Sequence, residues 1–367
     1  MVRRSPLPVL GLAGAACLLA RSPCFIPGGP LRRQPWAAAA GSAAVLGATP
    51  ALADPIGDAA KKLADASYPF AKEVDWNSGI YLQAPGKVAP LEALKAIDKM
   101  IVLGSQADPK LLKAAADAHH KAISSASGPT GMTSKADWEA VNAALGRVFA
   151  SVPESSVMDV YNAVAKITDP GVPAYLKSKV NGADAEKAYA AFLEFKDVVK
   201  ANQVSSAAAA PVPAAGGDKI GAAAQALADQ SYPFLKGVDW TSDLYLKPLP
   251  GVSAAKALKA VDKAIVMGSA MDGNLLKAAA SAHHQAIGSI DAAGVTSAAD
   301  YASVTAALGR AIASAPTSKV MDVYNAFAGI VQPSVPNTLF SKVDPLAANA
   351  AASAFYEFGN VVKAAQR

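Results

Sequence analysis

The chain contains the same unit twice. "IGDAAKKLADASYPFAKEVDW" (Ile56–Trp76) returns as "IGAAAQALADQSYPFLKGVDW" (Ile220–Trp240). "EALKAIDKMIVLGS" returns as "KALKAVDKAIVMGS", and "AALGRVFASVPESSVMDVYNAVAKI" as "AALGRAIASAPTSKVMDVYNAFAGI". "FLEFKDVV" returns as "FYEFGNVV". The offset is 164 residues through the histidines and 163 beyond them, one residue being lost near Gly128. An internal repeat of this kind fixes the organisation before any single residue is considered, because each copy must form the same supersecondary unit. Between the copies lies "VSSAAAAPVPAAGGDK" (Val204–Lys219), whose Ala, Pro and Gly content reads as a linker.

Each unit is patterned for helix. In "PLEALKAIDKMIVLG", Leu91, Leu94, Ile97, Ile101 and Val102 fall at helical spacing and the pattern stops at Gly104. "DPKLLKAAADAHHKAIS" opens with Asp108 as N-cap and Pro109 in the first turn. "TSKADWEAVNAALGRVFASV" begins with a hydroxyl cap followed three residues on by an acid, and ends at Pro153. "PESSVMDVYNAVAKI" and "DAEKAYAAFLEFKDVVKA" complete the set, and alternating strand patterns are missing. Apolar residues make up 52% of the chain but aromatics only 7%, and alanine supplies most of the difference, which favours helix again. The expected fold is all-α, two pseudo-symmetric repeats of about seven or eight short helices each.

The first 53 residues read as an address rather than as structure. "MVRR" is a charged start, and "LPVLGLAGAACLLA" (Leu7–Ala20) is an apolar run suited to a signal peptide and too short to span a bilayer. A basic stretch with paired Arg32-Arg33 follows, then a second apolar run ending Ala51-Leu52-Ala53 before Asp54. The twin arginine and the A-x-A ending resemble a second export signal. Two signals in series imply two membrane crossings, and the whole resembles a leader to a plastid and then to the thylakoid lumen, cleaved near Ala53/Asp54. The expected organisation is therefore a leader (1–53), a first repeat (54–203), a linker (204–219) and a second repeat (220–367).

Removing the leader changes the charge. The net +5 rests on 34 basic and 29 acidic residues, and Arg3, Arg4, Arg21, Arg32 and Arg33 lie in the leader, which has no acid. What remains is 29 against 29, which argues against a phosphate-tracking face and hence against nucleic acid as a partner. Both cysteines, Cys17 and Cys24, also lie in the leader. The remainder has no disulfide framework, thiolate nucleophile or Cys-held metal. No apolar run reaches transmembrane length, so a soluble product is expected.

All four histidines stand in two matched pairs, "LLKAAADAHHKAIS" and "LLKAAASAHHQAIG". Counting by three and four from His119 collects Leu112, Ala115, Ala116, Ala122 and Ile123, an apolar face. His120 points instead toward Lys113, Asp117 and Ser124. His283 and His284 repeat the division, with Ser281 in place of Asp117. The inward histidine could be a core residue satisfied by a carbonyl. Its neighbours are alanines, however, which fill little volume in an interior that is normally close-packed. Adjacent histidines are wrongly spaced to share one zinc. One imidazole per copy, alone on its face, suits a metal that already has its other ligands, such as a metallated tetrapyrrole, held directly or through a water.

Other chemistry is poorly represented. HExxH, P-loop, GxSxG and dinucleotide-binding signatures are missing, and no nucleophile or acid–base constellation argues for an enzyme. Asp75, Asp98, Asp159, Asp239, Asp262 and Asp322 recur in both copies and read as caps or solvated charges. Arg147 and Arg310 read as structural ion-pair partners. Tyr68, Trp76, Tyr232 and Trp240, in "SYPF" and "VDW", read as core aromatics whose polar handles suit an amphipathic ligand. Asn142 and its counterpart Thr305 could face solvent or bond a ligand carbonyl.

Taken together, "SYPFAKEVDW", "LQAPGKVAPLEALKAIDKMIV", "DPKLLKAAADAHHKAI", "AALGRV" and "VMDVYNAV", with their second copies, resemble the water-soluble peridinin-chlorophyll a-binding proteins of dinoflagellates. The resemblance runs in order along both copies and matches the long, two-repeat form. It implies an α-helical hull around an apolar pigment cavity and a peripheral antenna that absorbs blue-green light and passes it from carotenoid to chlorophyll and on to photosystems. The cofactors implied are chlorophyll a and peridinin, with a galactolipid as a further candidate. By position, His119 and His283 would hold chlorophyll magnesium through a water, and His120 and His284 would line the pocket. Asn142 falls close to a carotenoid, with Thr305 departing from Asn; Tyr161 and Tyr324 also resemble pocket positions. A homotrimer in transient contact with thylakoid membrane photosystem or antenna complexes is expected from the family alone. The competing expectation is a soluble carrier of lipids or other apolar small molecules.

Overall fold

Helix caps that recur at fixed places in both copies set the architecture. The computed structural model describes residues 54–73, 90–126, 131–167, 181–203, 219–238, 254–291, 294–328 and 344–366. In the first copy these form α1 (Pro55–Ala71), α2 (Pro90–Gln106), α3 (Pro109–Ser125), α4 (Lys135–Ala150), α5 (Glu154–Ile167) and α6 (Gly182–Ala201). The second copy repeats them as α7 (Lys219–Gly237), α8 (Ala254–Ser269), α9 (Gly273–Gly288), α10 (Ala298–Ala313), α11 (Thr317–Ala328) and α12 (Pro345–Ala365). The all-α expectation holds, with six helices per copy and no β-strand among the described residues. The leader and most of the linker lie outside the described residues; Lys219, assigned to the linker, opens α7.

Local chemistry explains most boundaries. Asp108 caps α3, its carboxylate accepting from the backbone N–H groups of Lys110 and Leu111, with Pro109 following where a missing N–H costs nothing. Asp272 caps α9 in the same way. Helix α2 runs two residues past Gly104 to Gln106; a side chain at Gly104 would meet nothing within 4 Å, so the glycine is tolerated rather than terminating. Ser134 caps α4, accepting from the Asp137 N–H, and Asp137 closes the motif. The Asp137 carboxylate also takes the Ser134 and Ser125 hydroxyls, each at 2.8 Å, and the Lys121 ammonium at 3.0 Å. It therefore ties the end of α3 to the start of α4. In the second copy Asp300 does this with Ser297 and Gln285.

The cores of the two copies correspond at seven of eight positions; Ala223 and Ala191, the counterparts of Ala59 and Ala354, pack partly buried beside them. Ile56, Ala59, Ala60, Leu63, Ala143, Ala150, Phe195 and Val199 form one; Ile220, Ala224, Leu227, Ala306, Ala313, Ala354, Phe358 and Val362 form the other. Helix α1 packs on α4 and α6, and α7 on α10 and α12. Gly146 and Gly309, in "AALG", permit this approach: a methyl on Gly146 would lie 2.6 Å from the Phe195 ring and 2.8 Å from Ile56, and one on Gly309 2.7 Å from Phe358. Among the described residues, the largest side chains fully removed from solvent are Leu227, Val152 and Val261. Alanine does most of the filling, so helices touch closely where they touch.

The repeats are not independent. Helix α3 packs on α4 of its own copy and on α8 of the other; α9 packs on α10 and on α2. The two helix starts also meet, since a Cβ on Gly273 would lie 3.2 Å from Pro109 Cγ. Pro109 and Gly273 are equivalent positions, and the missing side chain on one leaves room for the ring of the other.

Two outcomes follow. Gly146→Ala or Gly309→Ala overpacks a helix crossing and should lower stability by about 1–3 kcal/mol, measured by urea unfolding. The Lys121 ammonium, with the Ser134 and Ser125 hydroxyls, pulls the Asp137 carboxyl down to about 2. Because this folded value lies below the unfolded one of about 3.9, the stabilisation is complete above roughly pH 4 and is lost as pH falls toward 2. Asp137→Asn should remove that part of the acid-unfolding curve and leave its neutral limb flat.

Candidate functional site

The histidine helices bring together what the sequence kept far apart. On α3, His119 lies with Ala115, Ala116 and Ala122, all buried, and with the half-buried Leu112 and Ile123. Its side chain is 14% exposed, whereas that of His120 is 53% exposed. On α9, His283 and His284 divide in the same sense, at 22% and 65%. The helical count thus placed the inward and outward members correctly.

It missed their partner. His119 Nδ1 lies 3.1 Å from Asp262 Oδ1, and His120 Nδ1 lies 2.6 Å from Asp262 Oδ2. Reciprocally, His283 Nδ1 lies 3.0 Å from Asp98 Oδ1 and His284 Nδ1 2.6 Å from Asp98 Oδ2. Each pair of neighbours shares one carboxylate, one oxygen apiece, and the carboxylate comes from the other repeat. The reading of Asp98 and Asp262 as caps or solvated charges is therefore corrected: both are buried. So is the reading that the outer histidines have different surroundings in the two copies. Asp117 does differ from Ser281, but it pairs with Lys113, and His120 and His284 turn to equivalent acids. Of the other recurring acids, Asp159 and Asp322 form exposed pairs with Lys99 and Lys263 as expected. Asp75 and Asp239 lie outside the described residues. A signal for Asp98 existed: it stands four residues from both Leu94 and Val102, inside the apolar stripe of α2.

The electrostatics favour an ionised carboxylate. Burial pushes the Asp98 and Asp262 carboxyls up, but the hydrogen bonds from two imidazoles, and the attraction of those rings, more than offset it and leave both below the ordinary carboxylate value. An ionised carboxylate only accepts, so each neutral imidazole must carry its proton on Nδ1 and its lone pair on Nε2. In that tautomer Nε2 of the inward His119 and His283 is left with its lone pair. Among the described residues no group of three or more His, Cys, Asp or Glu is arranged to hold a metal ion by itself.

The remaining candidates fall into three groups. Tyr68 donates its hydroxyl to the Thr133 carbonyl at 2.9 Å, and Tyr232 does so to Thr296 at the same distance. The threonine hydroxyls in turn touch Ser125 and Ser289, at the ends of the histidine helices. These tyrosines brace the segment between the histidine helix and its successor. Asn142 is buried, which removes the solvent-facing reading, and its amide donates to the Trp138 carbonyl at 2.8 Å. Trp138 donates from Nε1 to Ser67 Oγ at 3.0 Å. In the second copy Tyr301 replaces Trp138, bonded by the hydroxyls of Ser231 and Thr305; burial pushes its phenol up. Tyr161 is exposed on α5, and Tyr324 lies on α11 with its side chain outside the described residues. Trp76 and Trp240 are also outside them. Arg147 pairs with Asp54, the cap of α1, as a structural partner.

With this geometry in view, comparison with known proteins is decisive. The family "Peridinin-chlorophyll A binding protein" matches residues 54–199 and again 218–362. The chain belongs to this family. It is 68% identical to "Peridinin-chlorophyll a-binding protein 1, chloroplastic" of Amphidinium carterae and 66% identical to "Peridinin-chlorophyll a-binding protein, chloroplastic" of Symbiodinium sp., each over 100% of both chains. The solved structure of "Peridinin-chlorophyll a protein, high-salt form" superimposes with a TM-score of 0.73 at 30% identity, over 84% of this chain and 99% of that one. The double family match is the repeat seen in the sequence, and the two histidine–aspartate contacts join its halves.

The buried corner of Ser67, Trp138 and Asn142 yields a comparison between copies. Ser67→Ala leaves the Trp138 N–H without its acceptor and should cost about 1–3 kcal/mol. Each serine also donates to the backbone carbonyl four residues before it, Leu63 or Leu227, at 2.6 Å; beyond that shared bond Ser231→Ala loses a 3.5 Å contact to Tyr301 and should cost less, read from urea unfolding of the two full-length variants.

Proposed function

We propose that this chain is a water-soluble light-harvesting antenna that binds peridinin and chlorophyll a in each repeat and transfers excitation from carotenoid to chlorophyll. The observation that carries the reading is the matched, inward-facing imidazole of each copy, His119 and His283, set on an alanine face in a chain of this family. The residues fit the group. His119 and His283 would hold a chlorophyll magnesium, whose macrocycle supplies its other ligands, through Nε2 directly or by way of a water. Bound there, chlorophyll supplies the absorbing and emitting chemistry; the protein supplies position, dryness and separation.

The thin interior supports the same reading. Among the described residues, the side chains fully removed from solvent are mostly small, the largest being one leucine and two valines. Bound apolar pigments would add contacts and stabilise the folded state by mass action. His120 and His284, with Tyr161 and Tyr324, are assigned to the margins of the pigment pockets, Asn142 and Thr305 to their polar corners, and Tyr68, Trp76, Tyr232 and Trp240 to their aromatic walls. The lumenal destination rests on the double signal of the leader, with two relatives named as chloroplastic. The family match begins at residue 54, next to the expected cleavage point, and its interruption between 199 and 218 supports the placement of the linker. A galactolipid, a homotrimer and transient contact with membrane photosystems belong to the same proposal, as does the absence of a catalytic role.

An absorption spectrum of the native protein tests it directly. A broad blue-green carotenoid band, with red chlorophyll emission excited through it, is the expected result, and a colourless native protein would overturn it in favour of an apolar-molecule carrier. His119→Ala and His283→Ala should each shift or release one chlorophyll component and leave the other in place.

A further inference from the structure

We infer that Asp98 and Asp262 are positioning residues exchanged between the repeats, each orienting the histidine pair, and through it the pigment site, of the opposite half. The inference rests on the reading of His119 and His283 as the axial donors. It goes beyond that reading by naming the group that sets their orientation and by assigning it crosswise.

A carboxylate offers two oxygens and no proton. Asp262 meets Nδ1 of His119 at 3.1 Å and Nδ1 of His120 at 2.6 Å; Asp98 meets those of His283 and His284 at 3.0 and 2.6 Å. Two ring nitrogens, each at hydrogen-bond distance from its own oxygen of one carboxylate, are placed as N–H donors to it. The tautomer of each ring is thereby fixed, as is its rotation, because the two contacts hold adjacent side chains on one rigid group. Fixing the partner nitrogen is how a carboxylate commonly orients a histidine donor. Here one carboxylate orients two.

The crosswise assignment follows from packing. Asp262 stands on α8, which packs on α3, and Asp98 on α2, which packs on α9. The residues joined are 142 to 186 positions apart in sequence, and the acid local to each repeat serves the other. A change at Asp262 should therefore be felt at the first-repeat histidines and a change at Asp98 at the second. A purely structural role would not give that pattern: both substitutions would loosen the molecule without choosing a half.

Asn is the informative replacement, because a carboxamide presents one acceptor and one donor. Facing two N–H groups it satisfies one, and the other ring must move its proton to Nε2 or turn away. The test uses the full chain loaded with chlorophyll a and peridinin, as wild type, Asp98→Asn, Asp262→Asn, His119→Ala and His283→Ala. Histidine-selective nitrogen-15 spectra should show all four wild-type rings protonated on Nδ1. Asp262→Asn should change His119 and His120 alone, and Asp98→Asn His283 and His284 alone. The low-temperature red absorption of chlorophyll is the second readout: Asp262→Asn should shift the component that His119→Ala shifts, and Asp98→Asn the one that His283→Ala shifts. Changes confined to the repeat that carries the substitution, equal changes in both, or no change in the ring nitrogens would overturn the inference. If the alanine variants shift no chlorophyll component, the axial-donor reading fails instead, and the nitrogen-15 pattern still decides the crosswise clamp. Should an Asn variant not load pigment, Asp262→Glu, which keeps both acceptors on a longer arm, replaces it. That variant must keep His119 and His120 protonated on Nδ1 while moving the same chlorophyll component; an effect at His283 and His284 counts against the inference.

Discussion

The structure depends on a buried negative charge that its own repeat does not satisfy. Asp98 and Asp262 are carboxylates in the interior of a protein whose filling is mostly alanine, and an unpaired charge there would cost several kcal/mol or shift its proton. Each finds two donors on a helix of the other copy. The equivalence is exact in numbering: Asp98 and Asp262 differ by 164, as do His119 and His283. This is the pattern of an isologous interface, in which residue i meets j and j meets i, realised within one chain. Because the contact is reciprocal, each half completes the other.

That reciprocity explains features that would otherwise be separate. The histidine helices pack across the repeats, and their N-terminal ends meet where a Cβ on Gly273 would press tightly, at 3.2 Å, on the Pro109 ring. The helices must also be held at their far ends, which Asp137 and Asp300, together with the braces from Tyr68 and Tyr232, accomplish within each copy. The Gly146 and Gly309 crossings bring α4 against Ile56 and Phe195 and α10 against Ile220 and Phe358 with no room for a further methyl. The result is a set of tight local seams between helices. Such a scaffold is well suited to surround a bulky apolar guest, since close seams fix the geometry while the guest supplies contact area.

How much of this was legible in the sequence divides by range. The helices were, because caps at Asp108 and Ser134, prolines at first turns and the 3.6-residue pattern act within a few positions. The inward placement of His119 and His283 was, because a helical face is also a local property. The acids were not: Asp98 in "KAIDKMIV" looks like any acid on an amphipathic helix until its partner, 185 residues away, is known. Local patterning records that a residue lies in an apolar stripe. It does not record which other stripe will face it. The end of α2 at Gln106 rather than Gly104 has a simpler cause, since an open surrounding imposes nothing on a glycine.

Where the copies diverge, they diverge together. The first has Trp138 beside Asn142 and Ser67; the second has Tyr301 beside Thr305 and Ser231. An indole only donates, so Trp138 needs the Ser67 oxygen, while Asn142 turns its amide to the backbone. A phenol both donates and accepts, and two hydroxyls, from Ser231 and Thr305, answer it. The substitutions compensate one another, so the corner stays satisfied with a different dipole arrangement in each half. The histidine–aspartate contacts, by contrast, agree within 0.1 Å between copies. A duplicated protein that must keep two sites in one geometry holds constant the residues that each half lends the other. A buried corner made wholly within one repeat is free to change, provided its donors and acceptors change as a set. The polar surroundings of the two halves can therefore be tuned separately without disturbing the clamp that relates them.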